Sequence, residues 1–125
     1  MTAEAAIYTF LSGFGIPAYA ATSTPDRNPF PYITYNLVMS GGIGDGEVMM
    51  NVNVWYRTES EAVPNAKVRE IHRAIGDGGV TLPCDDGILW LKRGTPWSQS
   101  VNVEGEDENV KRRYLNIDVE YLTIG

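Results

Sequence analysis

Residues 47–57, Glu-Val-Met-Met-Asn-Val-Asn-Val-Trp-Tyr-Arg, alternate along their whole length. Val48, Met50, Val52, Val54 and Tyr56 share one parity; Met49, Asn51, Asn53, Trp55 and Arg57 share the other. A period of two sends successive side chains to opposite faces of a strand, whereas a helix needs 3.6, so this stretch commits the chain to a sheet. The C-terminal segment 110–124 repeats the device. There Leu115, Ile117, Val119 and Tyr121 fall on one face, and Tyr114, Asn116, Asp118 and Glu120 on the other, the pattern of a half-covered strand.

Further strands are expected at Tyr32 to Met39, which is rich in aromatic and β-branched residues, and at 79–82, 87–93 and 97–103. A short strand is expected at Ile16 to Thr22, followed by a proline-rich loop at Ser23 to Pro31. Two helices interrupt this pattern. In the first, Ala3, Ala6, Ile7, Phe10 and Leu11 recur at three- and four-residue spacings, with Thr2 as cap and Gly13 as stop. The second follows Thr58 or Ser60 as cap and tolerates Pro64 only near its start. Val63, Ala66, Val68, Ile71, Ala74 and Ile75 should form its apolar side, and Gly76 to Gly79 should end it. The order is helix, three strands, helix, then three or four strands. This predicts an α+β fold: one domain spanning residues 1–125, with a mainly antiparallel sheet and both helices packed on one face.

The formal charge of −6 and a pI near 4.6 argue against attraction to nucleic acid or to anionic lipid. Lys92 with Arg93, and Lys111 with Arg112 and Arg113, are the only short basic clusters. No window approaches the ~20 uninterrupted apolar residues of a membrane span, so no membrane partner is expected. The first residues carry Glu4 and no basic segment, unlike a secretory signal. One cysteine, Cys84, closes no internal disulfide and makes no CxxC zinc site, which suits a reducing origin.

Gly41, Gly42, Gly44 and Gly46 crowd the segment between the strands at 32–39 and 47–57. A dinucleotide-binding glycine motif must open a helix, and this one runs into a strand; no Gly-Lys-Ser/Thr follows, so a P-loop is excluded too. A hairpin tip is the expectation, with glycine supplying positive φ. His72 is the sole histidine and stands on the flank of the second helix with no visible partner for nucleophilic chemistry. Cys84 in Leu-Pro-Cys-Asp-Asp-Gly reads as a small half-buried residue. Asp85 with Asp86, and the acidic run Glu104 to Glu108, hold oxygen ligands for a hard cation, but neither has the spacing of an EF-hand loop. They read as solvated turns. No catalytic residue, metal ligand or cofactor is expected. The face bearing Tyr114, Asn116 and Asp118 is the one expected to pack against another copy, since aromatic residues are favoured at interfaces.

The order of segments also resembles the tail terminator and tail completion proteins of long-tailed bacteriophages. The likeness is carried by PFPYITYNL, by NVNVWYRTESEA running into AKVREIHRAI, and by the closing RRYLNIDVEYL. It implies a non-enzymatic minor structural protein of the virion neck, assembled in the host cytoplasm into a homo-oligomeric ring, typically of six subunits. Such a ring caps the last ring of tail-tube protein, ends tail growth and offers its other face to the head–tail connector proteins. DNA only passes through the lumen. By position, Asn51 to Arg57 and Arg112 to Leu122 would be sheet strands. Ser40 to Gly46, with Gly41, Gly42, Ile43, Gly44 and Asp45, would be an extension available to a neighbouring subunit or to the tube. Head-closure and tail-tube proteins have a related architecture. A small ligand- or peptide-binding module using the aromatic sheet face is the reading from another class, and an enzyme using His72, Cys84 and the paired aspartates is a third.

Overall fold

The computed structural model describes residues 1–25, 28–36, 47–85, 87–103 and 108–123. The glycine-rich segment, with Gly41, Gly42, Ile43, Gly44 and Asp45, lies outside these residues, as do Asp86 and most of the acidic run before Glu108. Among the described residues six strands make one sheet: β1 (Ala18–Ala20), β2 (Tyr32–Asn36), β3 (Glu47–Arg57), β4 (Val80–Cys84), β5 (Gly87–Val101) and β6 (Val110–Thr123). Their spatial order is β1-β2-β3-β6-β5-β4. β1 runs parallel to β2, and every other pairing is antiparallel. The two alternating segments recognised first are the central pair. They are in register from Glu47↔Glu120 to Arg57↔Val110, so Val52 and Leu115 sit at the middle of the sheet.

Both helices, α1 (Ala3–Leu11) and α2 (Ala62–Ile75), cover the same face. Ile7 and Leu11 of α1 and Ile71 and Ile75 of α2 share one core with Val52, Val54, Leu89, Leu91, Leu115 and Ile117. The fold is thus α+β, as the element order implied. Three cations fasten the helical layer. Arg113, only 4% exposed, reaches up from β6 to the Glu61 carboxylate and to Asn65 Oδ1 at 2.9 Å. Arg93 donates Nε and Nη2 to the His72 carbonyl at 3.0 and 2.6 Å, in the last turn of α2, where that carbonyl also accepts the Gly76 N–H at 3.1 Å. Lys67 holds the Phe14 carbonyl and Glu70.

Several boundaries differ from expectation. Thr2 does cap α1, its Oγ1 accepting from Ala5 N–H at 3.1 Å. The chain continues, however, through a 3₁₀ turn at Ser12–Phe14, and Gly15 rather than Gly13 takes the left-handed conformation, at φ 82°. Neither Thr58 nor Ser60 caps α2. The Thr58 N–H is held by the Asn109 carbonyl at 2.7 Å and its Oγ1 closes a turn onto Ser60 N–H, which leaves Glu61 at the cap position. The buried stripe of α2 is Pro64, Val68, Ile71 and Ile75; Ala66 and Ala74 are exposed, and Val63 is 43% exposed. Pro64 tucks inward because its ring sits in the first turn, where no helical N–H is needed. The segments 87–93 and 97–103 are joined as β5, with a bulge between Arg93 and Ser98 that bends a single strand.

Candidate assembly surface

The face of the sheet opposite the helices is built row by row from paired residues. One row is Tyr32, Trp55, Arg112 and Val101; the next is Thr34, Asn53, Tyr114 and Gln99; the third is Asn36, Asn51 and Asn116. Beyond these lie Met49, Asp118 and Lys92, and then Glu47, Glu120 and Trp90. Along the strands the surface therefore passes from aromatic and cationic, through amide, to acidic.

The aromatic end is tightly organised. The Tyr32 ring stacks on Trp55 at 6.0 Å between centroids and 17° between planes, and Phe30 and Tyr19 approach Tyr32 at 5.4 and 6.5 Å. The Arg112 guanidinium lies 5.2 Å from the centre of Trp55 and 5.9 Å from that of Tyr114, a cation over two ring faces. Its Nε donates to Asn53 Oδ1 at 2.7 Å, and Trp55 Nε1 donates to Thr34 Oγ1 at 2.9 Å. At the acidic end Lys92 pairs with Glu47, stands 3.6 Å from Glu120, and covers Trp90 at 4.2 Å. Arg112 has no carboxylate partner and Asp118 no cationic one among the described residues.

The three described residues assigned to this face from parity do point away from the helices. Tyr114 and Asp118 are partly exposed. Asn116 is a correction: it is only 6% exposed, and its Nδ2 donates to the Pro96 carbonyl at 2.8 Å. The β5 bulge brings that carbonyl over it, so Asn116 is tied up inside its own subunit. Sequence reasoning passed over Trp55, Met49 and Arg112 as members of the surface. The signal was there: Arg112 has the parity of Tyr114, and Met49 and Trp55 that of Asn51. What no parity shows is the cross-strand stacking that makes one unit of them.

The reactive residues do not converge. The His72 ring meets Trp97 edge-on at 5.3 Å, whereas Cys84 pairs with Gly87 at the far end of β5. Gly87 pairs with Thr123 and Ser98 with Leu115, eight residues apart on β6, so Trp97 and Gly87 are separated by on the order of 25 Å. Asp85 takes the Met1 ammonium at 2.9 Å. An open cleft of about 320 Å³ lies at the start of β6, lined by Glu61, Ser100, Asn102, Lys111 and Arg112 among others. Its charges are largely committed to each other: Glu61 holds Arg113 and lies 3.7 Å from Lys111. The Arg113 hydrogen bond keeps the Glu61 carboxyl below its usual range, opposed by desolvation and helped by the charges of Arg113 and Lys111.

No protein-family profile matches this sequence, and no curated protein does. The fold has solved counterparts. A chain from the virion of a native gene transfer agent (GTA) particle matches it with a TM-score of 0.66 at 18% identity, over 96% of this chain and 94% of that one. At that identity the likeness is one of fold.

Proposed function

We propose that the chain is a non-catalytic structural protein of a phage-like virion, forming a ring at the head-proximal end of the tail tube that ends tail growth and receives the head connector. One observation carries the reading: the fold corresponds, end to end on both sides, to a chain that is itself part of a virion particle. The separation of His72 from Cys84 and Asp85 supports the non-catalytic part, because a catalytic site needs its groups within hydrogen-bond reach. The partners that follow are copies of this chain, the tube protein on one side and connector proteins on the other. DNA then needs no specific contact, which suits a chain of charge −6.

The test is electron microscopy of particles made without this gene, together with immunogold labelling of complete ones. Tails of uncontrolled length, with label at the head–tail junction of normal particles, are the expected result. Tails of normal length joined to heads would refute the terminator role; tails of normal length without heads would move the chain to head closure.

A further inference from the structure

We propose that the helix-free face is self-complementary and that two free copies pair through it, sheet on sheet, with their strands antiparallel. The inference does not rest on the tail reading. Consider a two-fold axis lying between the two sheets, perpendicular to the strands and passing over Val52 and Leu115. Because those residues are paired with each other, one axis serves both central strands. On β6 it sets Arg112 against Asp118 of the second copy; Tyr114 comes opposite Asn116, which is enclosed beneath the Pro96 carbonyl and makes no contact across. On β3 it sets Arg57 against Glu47 of the second copy, Trp55 against Met49, and Asn53 against Asn51. Each contact occurs twice.

The charged and aromatic pairs are chemically complementary. The cationic end of each face meets the acidic end of the other, and an isologous contact requires such a surface to match itself. Arg112 and Asp118, two charges of this face that have no opposite partner among the described residues, meet each other. Met49 is a large apolar side chain 45% exposed on an otherwise polar row, and it lands on the Trp55 ring, a favourable sulfur–aromatic contact. Trp, Tyr, Met and Arg are the residues enriched at the centres of interfaces. The area is at the lower end of stable interfaces: three strands of ~36 Å by ~14 Å and the five residues of β2 give about 600 Å² per copy, against about 800 Å² for a standard one. Stacked sheets sit ~10 Å apart, and their twist turns the strands by about 30° without separating the central pairs.

Sedimentation of the full chain over a range of concentrations tests this with two charge reversals. The wild type is expected to dimerise reversibly. Arg112→Asp and Asp118→Arg should each weaken pairing ~10-fold or more, since each sets like charges opposite one another twice. An equimolar mixture of the two variants should pair again, because each reversed residue then faces its opposite on the other chain. A wild type that stays monomeric throughout would overturn the proposal. So would pairing untouched by either reversal, or variants with wild-type circular dichroism that fail to recover on mixing. Arg112 packs on Trp55 and Tyr114, so its variant is the one at risk of misfolding; Asp118 has no described partner, and the Asp118→Arg result decides the matter alone.

Discussion

Glu61 shows how one side chain can connect the two layers. It stands at the start of α2, engages the buried Arg113 of β6 and lies near Lys111, and those contacts hold its carboxyl below the usual value. A group whose folded pKa is depressed stabilises the native state above its unfolded pKa, and that stability is lost as pH falls through the folded value. The melting temperature of the wild type should therefore drop on acidification below the usual carboxylate range. Glu61→Gln should be less stable at neutral pH and show a shallower acid slope, as read by thermal melts across pH. Parallel slopes would remove Glu61 from the acid response. At the opposite extreme of burial, Ile71 and Ile117 are fully enclosed, one on α2 and one on β6. Truncating either to alanine should cost about 2–5 kcal/mol in denaturant unfolding, the lost transfer energy plus the residual cavity. Losses within error of zero would contradict the packing.

Among the elements, β5 relies on small residues where it lies against β6, at Gly87 and at Gly94. A Cβ built on Gly94 would lie 2.7 Å from both the Cβ and the carbonyl oxygen of Asn116, closer than real contacts allow, and neither atom is the end of a flexible side chain. Gly94→Ala should cost about 1–3 kcal/mol as β5 is pushed off β6 beside its bulge. Gly13 is the control: a Cβ there meets nothing within 4 Å, so Gly13→Ala should stay within about 1 kcal/mol of wild type. Equal costs at both positions would show that chain entropy rather than contact governs Gly94. The helix α2 teaches a related lesson. Val63, Ala66 and Ala74 fit the sequence periodicity of an apolar side yet are exposed, since the helix turns the narrower stripe of Pro64, Val68, Ile71 and Ile75 to the sheet.

For the molecule as a whole, a structural role predicts indifference to its reactive groups. His72→Ala and Cys84→Ala should leave particle assembly intact, with only modest stability losses, because His72 stands on α2 against Trp97 while Cys84 ends β4, and the two share no site. Loss of infectious or DNA-carrying particles by a folded variant would count against the non-catalytic reading. The alternation in 47–57 and 110–124 determined by itself that these are strands, and in 110–124 that Leu115 and Ile117 face the core while Tyr114 and Asp118 look away from it, since parity is a local property of the backbone. The antiparallel hairpin of β2 and β3 and the two helices were legible for the same reason. Only the tertiary structure decided that β1 joins parallel to β2, that one bent β5 replaces two strands, and that its Pro96 carbonyl buries Asn116. It alone set Tyr32, Trp55 and Arg112 in one stack across three strands. These depend on register between segments up to ~80 residues apart in the chain, and register is set by packing of the assembled core rather than by any pattern within one segment.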